Sequence, residues 1–214
     1  MSIFCDGACS GNGRKGAVGG WGWAYWAGPI RGEPTAAAAD RLDVPPGLPA
    51  TNQRAELTAL LKVLRWLAAA TPHVTSIDIY TDSMYTINCT SVWGPAWKKA
   101  GWKRKTGEPL QNLDLIVPLV ELWRPGWRLH HVRGHQTNSS PQAYGNNWVD
   151  QAAVAGAEGK VLSPSSFSSF VLPVTLPVTS PSTSVPATVV KAPTLPATLT
   201  LAQAKQTDLR MWFS

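Results

Sequence analysis

Four acidic side chains stand where a predicted strand or helix meets a loop. Asp6 ends a short β-prone run and Asp82 ends a run of β-branched residues, while Glu56 and Asp150 fall in the first turns of two predicted helices. Carboxylates from separate elements that converge at one end of a sheet form the hard oxygen environment that Mg²⁺ or Mn²⁺ prefers. Taken singly, each could instead be an ordinary turn or helix-dipole residue. Together they predict a site for divalent cations.

His135 follows Gly134 in a predicted loop and lies near no serine or cysteine nucleophile motif. A histidine in such a loop can carry protons to and from a nearby reaction. The alternative is an ordinary surface or core histidine.

A second candidate site combines cations and flat rings within residues 93–105. Lysine and arginine bind phosphates, and tryptophan rings pack on sugars or bases, so this combination is typical of a nucleic-acid groove. The alternative is a charged helix whose tryptophans enter the core. The residues concerned are Trp93, Trp97, Lys98, Lys99, Trp102, Lys103, Arg104 and Lys105.

The composition is compatible with one ordinary domain and an anionic partner. The chain has 214 residues, 44% of them hydrophobic, and a formal net charge of +6. The N-terminus lacks the pattern of a secretion signal and no long apolar run occurs, so we expect no membrane partner. Cys5, Cys9 and Cys89 are odd in number and lack metal-ligand spacing, which favours reduced thiols in the cytoplasm or nucleus. We expect a monomer.

Strand and helix patterns alternate through residues 1–159 and predict an α/β fold with a mixed sheet flanked by helices. Residues 31–51 show weak strand character and are predicted to be a loop, and residues 93–105 an irregular excursion. The last helix is expected to begin at Asn146 or Asn147 as its N-cap. Strands are predicted at 2–6, 20–27, 77–81 and 127–132, and helices at 52–70, 83–88, 112–123 and 146–157.

The C-terminal part of the chain differs in composition. Residues 160–200 are rich in Pro, Ser and Thr, which predicts a disordered linker because frequent prolines interrupt helices and ladders. Residues 201–214 become polar and aromatic again and form a third predicted segment.

Five separate blocks of sequence resemble type 1 ribonuclease H in order and in approximate spacing. The resemblance covers residues 2–157 and implies an RNase H-like fold with five strands, including a third strand where the pattern alone predicts a loop. The blocks are IFCDGACSGN (3–12), TNQRAEL (51–57), YTDS (80–83), VRGH (132–135) and NNWVD (146–150).

The resemblance implies roles for the candidate residues. The four carboxylates match the family's metal ligands, with Asp6 bridging two Mg²⁺ or Mn²⁺ ions, and His135 matches its mobile histidine. The basic segment corresponds to a protrusion that grips the DNA strand. Asn12, Asn52 and Gln53 match residues that contact the RNA ribose, although Asn52 could simply cap its helix. The implied activity is hydrolysis of the RNA strand of RNA/DNA hybrids, in primer or hybrid removal during replication.

Two other functions are compatible with parts of this pattern. A DNA strand transferase or junction nuclease uses the same carboxylate sheet, but the basic segment and the Asn/Gln set favour the hybrid. A catalytically silent hybrid-binding module is disfavoured because a binder would be more stable without four buried like charges.

The extreme C-terminus resembles the sliding-clamp motif of replication proteins. A glutamine is followed by an aliphatic residue three positions on and by two aromatics, in an arrangement that one helical turn would gather into a plug. The alternative is an incidental apolar tail. The residues are Gln206, Leu209, Trp212 and Phe213.

Overall fold

The computed structural model describes residues 1–70, 74, 76–104 and 106–160, which contain one five-stranded mixed sheet with helices packed against it. The sheet order is β3-β2-β1-β4-β5; β1 to β3 pair antiparallel, and β4 and β5 add in parallel beside β1. The predicted α/β class is confirmed. The strands are β1 (Ser2–Ser10), β2 (Val18–Trp26), β3 (Ala36–Arg41), β4 (Ile77–Thr81) and β5 (Trp127–His131). The helices are α1 (Asn52–Ala70), α2 (Met84–Ile87), α3 (Gly94–Lys99), α4 (Leu113–Leu122) and α5 (Pro141–Ala157).

The alternation of side chains along β1 assigns its residues to two layers. Ile3 and Cys5 pack in one buried cluster with the leucines of α1, whereas Phe4 packs in a second cluster with Val149 of α5. Successive residues of a strand point to opposite faces. Asp6 therefore shares the α5 side with Phe4, while the next residue faces α1.

Gly7 is required by the close approach of α1 to β1. A Cβ atom at Gly7 would lie 2.2 Å from the backbone carbon of Ala55 and from the backbone nitrogen of Glu56. No real side chain tolerates such a distance, so only glycine lets α1 lie this close. This contact brings Glu56 beside the strand that carries Asp6.

The prediction of a loop over residues 31–51 is wrong where β3 forms, and the strand implied by the family resemblance is confirmed. Ala36–Arg41 pairs antiparallel with β2, from Tyr25 opposite Ala36 to Gly20 opposite Arg41. A run of alanines lacks the alternation of large and polar residues that marks a strand. Ala36–Arg41 is a strand because it pairs with β2 and because α5 packs against it. The small alanine side chains let both neighbours come close.

Two other boundaries differ from the prediction. β1 continues to Ser10, so Asp6 lies in the middle of its strand rather than at the end. Glu56 lies beyond the first turn of α1, which contains no acidic residue.

The last helix also begins earlier than predicted. α5 starts at Pro141 and is capped by Ser140, whose Oγ accepts a hydrogen bond from Ala143 N at 3.2 Å. Asn146 and Asn147 are therefore interior residues and not caps. Asp150 consequently lies in the third turn of α5, with its side chain on the face that packs against the sheet side of Asp6.

Residues 93–105, predicted to be irregular, include a helix. Ser83 caps α2 by accepting a hydrogen bond from Thr86 N at 3.1 Å, and a π-helical turn over Asn88–Trp93 leads from α2 into α3. Trp93 and Trp97 are thereby carried on a helical segment, while Trp102 lies in the bend that follows α3.

None of the helices in the described ranges is long and apolar enough to span a membrane. The three cysteines are free thiols, and burial raises the pKa of Cys5 and raises that of Cys89 to about 11. The predicted linker after Lys160 and the clamp-motif residues lie outside the described residues, as does Lys105.

Candidate active site and nucleic-acid interface

Four elements bring the acidic residues to one region of the sheet. Asp6 is buried in central β1, and Asp82 follows β4, the strand that pairs in parallel with β1. Glu56 comes from α1 and Asp150 from α5, the helices on the two sides of the sheet. The charges of the other three carboxylates all act on Asp6, so the predicted residues lie within electrostatic reach of one another.

Burial dominates the electrostatics of this site. Burial first, and then the charge of Asp82, raise the pKa of Asp6 from 3.8 to about 8, with smaller contributions from Asp150 and Glu56. Burial also raises the pKa of Glu56, although hydrogen bonds from Ser83 and Asn52 oppose that change. Both shifts mean that the protein destabilises the ionised carboxylates of the site.

The outer carboxylates are oriented by polar neighbours. Glu56 Oε2 accepts a hydrogen bond from Ser83 Oγ at 2.5 Å, and its Oε1 accepts one from Asn52 Nδ2 at 2.8 Å. Asp82 Oδ2 accepts a hydrogen bond from Asn146 Nδ2 at 3.3 Å. Ser83 and Asn146 were not predicted as site residues. A serine that caps a helix and an asparagine inside a helix give no sequence signal of contacts with a distant carboxylate.

The donor set suits a hard divalent cation. Within the described part of the chain, neither Asp6 nor Glu56 nor Asp82 pairs with a lysine or arginine, although buried negative charge is costly without a cation. No three His, Cys, Asp or Glu side chains among these residues stand close enough to form a ready metal site. Carboxylate oxygens are nevertheless the ligands that Mg²⁺ or Mn²⁺ prefers.

His135 lies at the open side of the site. It has a positive φ of 50°, its side chain is 84% exposed, and its Nδ1 is 4.0 Å from Asp150 Oδ2. The preceding Gly134 packs so close to Asp82 that a Cβ atom there would lie 2.5 Å from Oδ2. The loop thus brings an exposed imidazole to the rim of the carboxylate group.

A cleft of about 430 Å³, here called the aromatic cleft, lies beside the start of α1. Tyr85 and Trp93 stand edge to face with centroids 6.2 Å apart, and Trp93 and Trp97 lie 5.9 Å apart. Rings and a guanidinium in one cleft suit a sugar-phosphate strand. Its walls are Gln53, Tyr85, Trp93, Trp97, Arg104 and Gln111.

The predicted basic segment divides between cleft, core and solvent. Trp93 is 39% exposed, whereas Trp97 and Trp102 are partly buried against the main core. Trp97 and Trp102 therefore contribute to the core, as the alternative interpretation expects, while nucleic-acid binding by Trp93 and Trp97 stays a prediction. The cations Lys98, Lys99, Lys103 and Arg104 are exposed.

The predicted ribose-contacting residues form a connected group. Asn12 Oδ1 accepts a hydrogen bond from the backbone N–H of Asn52 at 2.9 Å, while Asn52 donates to Glu56. Gln53 is exposed and reaches the aromatic cleft. The helix start is thus capped by Asn12, in the turn after β1, as well as by Thr51, whose Oγ1 accepts a hydrogen bond from Arg54 N at 3.2 Å.

A buried polar network supports the aromatic cleft from behind. Arg54 is 3% exposed, forms an ion pair with both carboxylate oxygens of Asp114, and donates to Asn112 Oδ1 at 3.1 Å. Asn112 in turn donates to the hydroxyl of Tyr85 at 3.1 Å. The network ties α1 to the start of α4 and positions a ring of the cleft.

Comparison with known proteins agrees with this architecture. The RNase H family model matches residues 1–158. The chain is 38% identical over 160 residues to ribonuclease H1 of Mus musculus, and it spans half the length of that relative and 73% of itself. It is also 38% identical over 166 residues to ribonuclease H of Cupriavidus necator, covering 95% of that protein and 74% of this chain.

Among solved structures, LC9-RNase H1, a type 1 RNase H with the type 2 active-site motif, superimposes with a TM-score of 0.56 and 24% identity, covering 75% of this chain and 73% of that one. This likeness supports the fold. Because the family model matches most of the chain, the chain belongs to the RNase H family.

Proposed function

We propose that this protein hydrolyses the RNA strand of RNA/DNA hybrids with the help of divalent cations. The observation that carries the proposal is the group of four carboxylates around buried Asp6, beside a cleft lined by two tryptophans and Arg104. Kinship with ribonucleases H supports it, although the mouse relative is twice as long as the matched region.

Asp6, Glu56, Asp82 and Asp150 would hold the cations, two in number, with Asp6 as the shared ligand. Divalent cations in such a site make water more acidic and neutralise the charge that develops on a phosphate. The role of the protein would be to orient the carboxylates: Ser83 and Asn52 hold Glu56 by hydrogen bonds, and Asn146 holds Asp82. Bound cations would favour the ionised form that burial disfavours. Dispersed carboxylates would draw together once a cation offsets their repulsion.

The reaction needs a water molecule and a route for protons. The water oxygen forms a bond to phosphorus while the bond from phosphorus to the 3′ oxygen breaks, leaving a 5′-phosphate and a 3′-hydroxyl. One proton leaves the attacking water and one reaches the 3′ oxygen. His135, exposed and 4.0 Å from Asp150, would carry protons between the site and solvent.

Strand selection follows from the flanking residues. Asn12, Asn52 and Gln53 present amide groups beside the carboxylates and would hydrogen-bond ribose 2′-hydroxyls, the feature by which a protein distinguishes RNA from DNA. The aromatic cleft would hold the DNA strand, whose deoxyriboses pack on rings without a hydroxyl to accommodate.

The test is cleavage of an end-labelled RNA/DNA hybrid beside RNA/RNA and DNA/DNA duplexes of the same sequence, with Mg²⁺, with Mn²⁺ and with EDTA. We expect metal-dependent cutting of the RNA strand of the hybrid alone. Cutting of the DNA duplex would favour a junction nuclease, hybrid binding without any cutting would favour a silent module, and cutting in EDTA would exclude the metal mechanism.

We further propose a role in replication, in which the C-terminal motif recruits a sliding clamp. The support is the spacing of Gln206, Leu209, Trp212 and Phe213, and the preceding Pro-rich stretch of the sequence, which would act as a tether that raises local concentration. An intracellular compartment and a monomeric state stay predictions from the sequence.

The clamp proposal is tested by calorimetric titration of a peptide of residues 201–214 into eukaryotic and bacterial clamps. We expect micromolar affinity for the eukaryotic type and loss of binding when Trp212 and Phe213 are both replaced by alanine. Absence of binding to either clamp would contradict this part of the proposal and leave the nuclease activity untouched.

A further inference from the structure

A second cleft, larger than the aromatic cleft, lies next to the residues that precede α1. It has a volume of about 810 Å³ and is formed between the turn joining β1 to β2 and the segment joining β3 to α1. We call it the basic cleft. Its walls come from residues 13–19, 41, 42, 44 and 47–50, none of which has a role in the site described above.

The lining of the basic cleft favours a polyanion. Arg14, Lys15 and Arg41 are exposed cations, and none of the described residues that line the cleft is an aspartate or a glutamate. Leu42 forms a buried wall, and Leu48 lies at the rim with 48% of its side chain exposed. Cations bind phosphates, and small apolar surfaces between them accommodate sugars.

Hydrogen bonds connect this cleft directly to the proposed ribose-contacting residues. Gly13 N donates to Ala50 O at 2.9 Å and closes the two walls onto each other. The residues beside them, Asn12 and Asn52, are joined by their own hydrogen bond of 2.9 Å. The basic cleft therefore begins one residue beyond Asn12, while the aromatic cleft begins at Gln53.

The geometry points to a second backbone-binding site: we propose that the basic cleft binds the sugar-phosphate backbone of the RNA strand beyond the cleaved bond. This inference rests on the proposed function, since it assumes that Asn12 faces RNA. The aromatic cleft would then hold one strand and the basic cleft would extend the grip on the other. Hybrids long enough to reach the basic cleft would bind more tightly than shorter ones.

The experiment compares two triple variants of the full chain that lose the same charge. The cleft variant is Arg14→Gln/Lys15→Gln/Arg41→Gln. The control variant is Arg31→Gln/Arg65→Gln/Lys160→Gln, whose three cations are exposed and line neither cleft. Because both variants lose three positive charges, a general electrostatic effect would weaken binding equally in both, whereas a local contact would weaken it only in the cleft variant.

Binding is measured by fluorescence anisotropy in EDTA, so that it does not depend on turnover. The probes are an 8-base-pair hybrid, the same hybrid extended by single-stranded RNA at either end of its RNA strand, and the same hybrid extended by DNA. Salt titration of each gives the number of phosphate contacts. Cleavage of the extended hybrids by the wild type in Mg²⁺ is measured separately and tests the proposed function.

We expect the cleft variant to lose about tenfold in affinity for one RNA-extended probe at 0.1 M salt, with a salt slope smaller by about two to three. The affinity of the cleft variant for the short probe and for the DNA-extended probe should change by less than about twofold. Equal losses for both triple variants, equal losses on all probes, or loss confined to DNA extensions would each overturn the proposal. Because binding is read in EDTA, a wild type that fails to cleave would refute the proposed function without affecting this comparison.

Discussion

Replacing Asp6 by asparagine should make the metal-free protein more stable while removing its activity. Asparagine keeps an oxygen that can accept the 2.7 Å hydrogen bond from Gly7 N but carries no charge. The ionised aspartate is destabilised by burial and by the Asp82 carboxylate, which together raise its pKa to about 8. The substitution removes that destabilisation along with a cation ligand.

The magnitude follows from linkage between protonation and folding. The pKa of Asp6 is higher in the folded state than its ordinary value of 3.8, so the folded protein loses stability as the pH rises from about 4 towards 8. By pH 7, still below the folded-state pKa, this loss of stability has an upper limit of about 4 kcal/mol. Neighbouring carboxylates can share the proton and the side chain can move towards water, so we expect a gain of about 1 to 3 kcal/mol.

The assay is urea unfolding of the full chain in EDTA at pH 5 and pH 7.5, followed by tryptophan fluorescence. The advantage of Asp6→Asn should be larger at pH 7.5, and adding Mg²⁺ should narrow it because the wild type then gains binding energy. The exposed carboxylate Asp43 supplies a matched control, and Asp43→Asn should change stability by less than about 0.5 kcal/mol. A variant less stable than the wild type in EDTA at pH 7.5, or a gain independent of pH, would refute the reasoning.

Three further predictions address the loop, the packing and the acid limit. His135→Ala should lower kcat by about 10- to 100-fold with little change in hybrid affinity measured in EDTA; complete loss would instead indicate an essential base. Gly7→Ala should destabilise the fold by about 3 kcal/mol or more in urea unfolding, while Gly28→Ala, with no atom within 4 Å of its added Cβ, should be nearly neutral. Asp78, whose pKa the Arg128 hydrogen bond lowers to about 2, should contribute up to about 1 kcal/mol above pH 4 that disappears as the pH falls towards 2. The free energy of unfolding of Asp78→Asn should lack this pH dependence between pH 2 and 6. A dependence on pH equal to that of the wild type would contradict the assignment.

The acidic residues could be predicted from the sequence because their signals are local. Asp82 follows a run of β-branched residues, and Glu56 lies on a leucine-rich face whose helical spacing is clear. Both signals depend on neighbours within a few positions of the chain. The helix and strand that carry these residues were accordingly predicted within one or two residues.

The features that sequence analysis missed depend on partners distant in the chain. β3 is a strand because β2 pairs with it and α5 packs on it, and a run of alanines shows neither. Asn146 contacts Asp82 across 64 positions, so its resemblance to a cap was the stronger local signal. The basic cleft likewise forms between segments distant in the chain, which a hydrogen bond from Gly13 N to Ala50 O joins.

The hydroxyl group of Ser83 has a consequence for how the site can change. Its single proton is given to Glu56, and its oxygen simultaneously accepts the amide of Thr86 at the start of α2. One atom thus joins a carboxylate of the site to the helical segment that leads into the tryptophans. If a cation drew Glu56 towards it, the oxygen that anchors α2 would shift as well, and Ser83 would then couple cation binding at the carboxylates to the position of the aromatic cleft.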